Sequence, residues 1–192
     1  PVVTGNPVRE LKAEEFGVLS APEHQSSSSF SGESYQPQPE QFGAELAGIL
    51  ERVSLLDRLR GVRAMQGFQR KKPSSDGLVP ASLDRNTDWL PAYEVFGEGL
   101  FFKFNAEFFK DWLGDLPKAE KARLQRLQDR ITNQKIDFLP PPTPALLAIH
   151  GLSHVLMRQL CFDSGYASSS LRERIYVDGD SLGLLLYTAD GD

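Results

Sequence analysis

His150, His154 and Arg158 follow one another at i, i+4 and i+8 in an apolar stretch, and Cys161 stands eleven residues after His150. On a helix all four share one stripe, because eleven residues make about three turns. Two histidines four apart can hold one divalent ion, so metal chemistry is the first to weigh. Three features speak against it. Gly151 occupies the place of the Glu that a zinc protease uses as general base. Cys161 lies seven residues past His154, about 10 Å along the axis, too far to join the same ion. Arg158 puts a positive charge one turn from His154. We therefore read the stripe as buried polar groups whose ring nitrogens bond to backbone or carboxylates. No catalytic residue and no metal ligand is assigned.

A second constellation is basic. Between positions 52 and 72, Arg52, Arg58, Arg60, Arg63, Arg70, Lys71 and Lys72 stand against Asp57 alone, with Phe68 among them. Between Lys118 and Lys135 six basic residues face two acidic ones. Lysines and arginines beside an aromatic ring can follow a phosphate backbone and stack a base. Arg58, Arg60, Arg63, Arg70, Lys71 and Lys72 are the candidate nucleic-acid-binding residues. The same charge would equally suit a solvated face or the acidic surface of another protein.

Several other chemistries fall away. The chain has no phosphate loop of the GxxxxGK(S/T) kind. Gly97-Glu98-Gly99 lacks the third glycine of a dinucleotide fingerprint. Gly151-Leu-Ser153-His-Val155 fails as a nucleophile elbow at Val155. Asp178-Gly-Asp180 begins like a calcium loop, but Leu182 and Ala189 stand where oxygen ligands belong.

The elements that must hold these residues belong to an ordinary chain of 192 residues, 40% hydrophobic, 24% charged and 10% aromatic. That composition excludes collagen, a coiled coil and a wholly disordered chain. The net charge of -5 hides a segregated one, since the first fifty residues carry seven acids against two bases. No apolar run reaches the ~18 residues of a membrane span, so no membrane partner is expected. The single cysteine, Cys161, fits a reducing compartment and a cytoplasmic location. The chain opens Pro1-Val2-Val3 without Met and closes shortly after an apolar run, Leu182 to Tyr187, so we expect a fragment of a larger protein.

Residues 8–19 suit a short helix, and 20–41 a serine- and proline-rich linker, so 1–41 is expected to be poorly structured. Phe42, Leu46, Ile49, Leu50, Val53, Leu56 and Leu59 recur at helical spacing and predict an amphipathic helix. A strand over 62–70, an irregular crossing over 71–90 and a hairpin follow. The hairpin turns at Gly97-Glu98-Gly99, between Tyr93–Phe96 and Leu100–Phe104. Asn105 caps the next helix, 118–135 is a polar one, and Thr143-Pro144 opens a helix apolar nearly all round. Strands at 174–177 and 182–188 flank a turn at 178–180. The expected architecture is α+β, with antiparallel strands packed on a central buried helix and peripheral helices. Region 42–142 forms the helix–strand–hairpin–helix part, and 143–192 the buried helix and strand pair. The strand edge at Leu184–Tyr187 is expected to need cover from another segment or another chain.

Three blocks carry a more specific signal: His150-Gly-Leu-Ser-His154-Val-Leu-Met-Arg158, Gly165-Tyr166 with Leu171-Arg-Glu-Arg174-Ile-Tyr176, and Gly183-Leu-Leu-Leu-Tyr187. Together with Leu55 to Phe68 and Trp89 to Phe101, they resemble the DrmB family, helicase-associated subunits of the DISARM anti-phage system. A related domain ends certain DNA-repair helicases. The resemblance implies a non-catalytic subunit that accompanies a SNF2-like helicase, DrmA, and helps it engage DNA, single-stranded or with an overhang. Other segments of the same protein are further expected partners. His150, His154, Arg158, Arg172, Glu173, Arg174 and Tyr176 match the signature without a role attached to them. Many relatives place a Cys just before the Gly-Tyr pair, where this chain has Ser164. The family's later cysteine cluster, a zinc site, would lie beyond Asp192, so no cofactor is expected in this chain. Two rival functions stay open: a metal-dependent nuclease using His150 and His154, and a protein–protein scaffold that never touches DNA.

Overall fold

Two long strands, far apart in sequence, form the spine of the molecule. The computed structural model describes residues 7–22, 24–68, 79–81, 89–114, 116–134 and 140–188. In chain order the elements are α1 (Pro7–Leu19), β1 (Gln25–Ser26), β2 (Phe30–Tyr35), α2 (Pro39–Phe42), α3 (Ala44–Ile49), β3 (Leu50–Ala64), β4 (Gly67–Phe68), β5 (Val79–Pro80), β6 (Ala92–Phe104), α4 (Ala106–Gly114), α5 (Lys118–Asn133), α6 (Pro144–Ser164), β7 (Leu171–Asp178) and β8 (Ser181–Thr188). The spine is β3 against β6, antiparallel from Leu50↔Phe104 to Ala64↔Ala92. Around it a six-stranded sheet runs in the order β1-β2-β3-β6-β8-β7, with β4 and β5 as a separate small pair. Every pairing in the large sheet is antiparallel. The expected α+β class therefore holds.

Alternation along the strands divides the core in two. Phe16 and Leu19 of α1 pack on Leu56, Phe101, Tyr176 and Leu185 on one face of the sheet. Phe109 of α4 with Ala145 and Ile149 of α6 packs on Phe104, Leu182, Leu184 and Leu186 on the other. Phe16, Phe101 and Tyr176 meet ring to ring at 5.7–5.9 Å between centroids, within the range of favourable aromatic packing.

Local signals are obeyed where they were read. The Thr143 hydroxyl accepts from the Leu146 N–H at 3.1 Å, with Pro144 in the first turn. Gly165 ends α6 in the left-handed region at φ 73°. The Asn105 side chain accepts from the N–H groups of Glu107 and Phe108 and starts α4. Gly179, at φ 58°, turns β7 into β8.

Five expectations are corrected. The helix read over 42–59 exists only as the short α2 and α3, and from Leu50 onward the chain is β3. Apolar residues there sit on both faces, because the register shifts between Leu56 and Leu59 and breaks strict alternation. The hairpin at Gly97-Glu98-Gly99 is absent; both glycines lie inside the continuous strand β6. Space, not turn geometry, calls for them, as a Cβ on Gly99 would stand 2.6 Å from the Leu186 carbonyl oxygen. The linker read over 20–41 contains β2, which pairs with β3 from Phe30↔Leu59 to Tyr35↔Val53. The strand at Leu184–Tyr187, by contrast, has the cover expected for it, since β8 lies between β6 and β7.

The last two concern α6, which is not buried all round. It seats Ala145, Ile149 and Ser153 on the sheet, while Leu147, Val155 and Phe162 face outward, Phe162 with 81% of its surface exposed. By length and composition α6 is also long and apolar enough to cross a membrane, contrary to the expectation from the sequence. Core helices pass the same test, and His150, His154 and Arg158 stand on its exposed side.

Candidate functional site

Strand β7 carries the signature residues to both faces of the sheet. Successive side chains of a strand point opposite ways. Arg172, Arg174 and Tyr176 accordingly face α1, while Glu173, Ile175 and Val177 face α6.

On the α1 face a groove of about 750 Å³ runs between helix and sheet. Arg60 and Arg63 of β3 and Arg172 and Arg174 of β7 line it, opposed by Glu14 and Glu15 of α1. Two groups of residues noted separately in the sequence thus share one surface. Several of these arginines have partners within the chain. Arg60 is paired with Glu94, whose carboxyl is held below the usual range first by that hydrogen bond and then by the guanidinium charge. The Arg63 guanidinium donates to the Tyr93 hydroxyl at 3.4 Å. Arg172 donates to the carbonyls of Ser169 and Leu171. Arg174 Nε lies 2.6 Å from Glu15 Oε2, an ion pair by proximity although the N–H is not directed along it.

Three further contacts from α1 fasten β7 from this side. Arg9 grips Asp178 with two bonds of 2.6 and 2.7 Å, which holds the Asp178 carboxyl low. Lys12 donates to the Ile175 carbonyl at 3.0 Å, and burial followed by the nearby Arg174 charge pushes its pKa down. The Tyr176 hydroxyl donates to Glu15 at 3.1 Å. Burial first, and the Glu15 charge second, hold that phenol well above its ordinary range.

Other basic residues are more open. Arg58 is exposed at the register shift in β3 and makes no ion pair among the described residues. Helix α5 buries no side chain, and Arg123, Arg126 and Arg130 line a groove beside Trp112 and Leu147. Phe68 is exposed on β4. Arg70, Lys71 and Lys72 lie outside the described residues, as does most of the crossing read over 71–90.

On the opposite face His150, His154 and Glu173 come together. His150 Nε2 is 2.9 Å from His154 Nε2 and 3.1 Å from Glu173 Oε1. The buried Ser153 hydroxyl donates to the Glu173 carboxylate and also lies 2.7 Å from the His150 carbonyl. Arg158, one turn further on, is exposed, and Cys161 does not join the group. Glu173 is the member that sequence reasoning assigned no role. A strand reading of 171–178 would have placed it opposite in direction to Arg172 and Arg174, on the side where α6 packs.

An antiparallel sheet with a basic groove on one face and a histidine–carboxylate cluster on the other defines an α+β protein with two separate polar surfaces. The chain matches no family model. It is 31% identical over 150 residues to the DISARM protein DrmB of Bacillus paralicheniformis, an alignment covering 73% of this chain and 27% of that protein. The chain belongs to the DrmB family. It spans about a quarter of the length of that relative.

Proposed function

We propose that this chain is part of a non-catalytic subunit of a DISARM anti-phage complex, which accompanies a SNF2-like helicase of the DrmA kind and adds basic surface to its DNA path. The observation that carries the DNA part is the convergence of Arg60, Arg63, Arg172 and Arg174 on one groove, with Arg58 exposed nearby. Guanidinium groups along a sheet supply affinity for phosphates without reading sequence. A cytoplasmic location belongs to the same proposal, since injected phage DNA is met there.

The test replaces Arg58, Arg60 and Arg63 with Glu in the assembled complex and follows DNA affinity against salt. Each phosphate contact removed should flatten the slope of log K against log salt by about 0.9 on duplex DNA. Unchanged affinity with an unchanged slope removes these arginines from the DNA path.

A second reading, a scaffold that binds only protein, is favoured by the outward apolar side chains of α6, Leu147, Val155 and Phe162. It predicts that charge reversal of the arginines leaves DNA binding intact, while Phe162→Asp weakens subunit assembly.

A further inference from the structure

We propose that His150, His154 and Glu173 bind a first-row divalent transition cation, zinc being the one their donor atoms suit best. This goes beyond the DNA reading and stands on the opposite face of the sheet. The ligand atoms of the three residues all lie within 4.8 Å of one another. Around a tetrahedral ion about 2.0–2.2 Å from each ligand, neighbouring donor atoms stand about 3.3–3.6 Å apart. The 2.9 Å between the two histidine nitrogens and the 3.1 Å from His150 to Glu173 lie slightly inside that edge, so the donors already converge and need only spread a little to admit the ion.

Proton accounting favours a cation too. His150 Nε2 faces two partners at hydrogen-bonding distance, His154 Nε2 and Glu173 Oε1. A ring nitrogen carries at most one hydrogen. If His150 Nε2 bears it, one N–H must serve two acceptors or meet the N–H of His154. If it does not, its lone pair faces a carboxyl oxygen of Glu173. A positive ion on the open side of the three atoms satisfies all three lone pairs together.

The supports are those of a built site. His150 and His154 are one turn apart on α6, capped at both ends by Thr143 and Gly165. Glu173 is fixed by its pairing with Leu186 in the sheet. Ser153, itself fully buried, donates to the Glu173 carboxylate and orients it. Such outer partners commonly set ligand direction in metal sites. Two imidazoles and one carboxylate suit zinc or iron(II) and disfavour magnesium or calcium, which want oxygen alone. His150 keeps 47% of its side chain exposed, so positions toward solvent remain for water or another oxygen ligand. The absence of a general-base Glu at Gly151 bears on protease chemistry, not on holding the ion. Cys161 is not needed, because Glu173 supplies the third donor.

Tag-free protein is stripped with chelator and titrated with Zn²⁺ by calorimetry and with Co²⁺ by visible absorption. One equivalent of Zn²⁺ should bind, with Co²⁺ giving the ligand-field bands of a low-coordinate site. His154→Ala and Glu173→Gln should each weaken Zn²⁺ binding at least about 100-fold, and Ser153→Ala about 10-fold. Asp163→Asn, a carboxylate change elsewhere on α6, should leave it unchanged. Absence of stoichiometric Zn²⁺ binding in the wild type, or wild-type affinity in both ligand variants, overturns the proposal. The Co²⁺ bands test it in the wild type alone, so a variant that unfolds does not decide the matter.

Discussion

The carbonyl oxygen of Thr188 lies 1.8 Å from where a Cβ on Gly97 would stand. No real contact is that short, so the end of β8 can run beside β6 only because residue 97 has no side chain. Gly97→Ala should force the strands apart and cost about 3 kcal/mol, the upper end for overpacking. Gly17→Ala is the control. Nothing lies within 4 Å of its Cβ position on α1, and the change should stabilise by about 0.5–1 kcal/mol. Denaturant melts of both variants check this; equal stabilities would mean that β8 does not cross β6 there.

The same glycine shows what the sequence could and could not yield. Features settled within a few residues were legible: Asn105 and Thr143 as caps, Gly165 as helix end, and the turn at Gly179. Each depends on one backbone position and a neighbour. The spine was not legible, because Leu50 pairs with Phe104 across more than fifty residues, and only that partner makes β3 a strand. Its apolar residues fall at helical spacing because a register shift and two covered faces blur the alternation. Gly97 and Gly99 suggest a turn by residue type, and only the position of β8 shows that they make room. At the site, the histidine pair and the arginines were visible as residue types. Glu173 gained meaning only when β7 was placed against α6.

Tyr176 makes stability pH-dependent at the alkaline end. Its folded pKa is raised by burial and by Glu15, so the folded state holds the proton more tightly than the unfolded chain. Its contribution is then fully present below the unfolded value of about 10 and declines as pH rises above it. Tyr176→Phe should flatten the loss of stability between about pH 10 and 12. Melting temperatures of the two proteins across that range decide it; parallel curves would place the phenol in water.

Leu184 and Phe162 separate the inside of the molecule from the outward side of α6. Leu184 has no exposed surface and packs between β6, β7 and α6, whereas Phe162 is 81% exposed. Leu184→Ala should cost about 2–5 kcal/mol, the usual range for a buried leucine. Phe162→Ala should stay within about 0.5 kcal/mol in the isolated chain. A large loss at Phe162 without partners present would mean that α6 is turned the other way.

Glu94 restrains Arg60 at the rim of the basic groove. If the groove meets DNA, the carboxylate competes with phosphate for that guanidinium and adds a negative charge to the approaching surface. Exposed pairs of this kind hold their partners only weakly. Glu94→Gln should therefore tighten DNA binding by roughly twofold to fivefold at low salt, and the gain should shrink as salt screens the surface. Fluorescence anisotropy of the complex on labelled DNA at several salt concentrations measures both effects. The double change Glu94→Gln with Arg60→Gln should show no gain over Arg60→Gln alone, because the benefit acts through that arginine. A gain that persists without Arg60 would come from the general loss of negative charge, and Arg60 would then have no direct place on the phosphates.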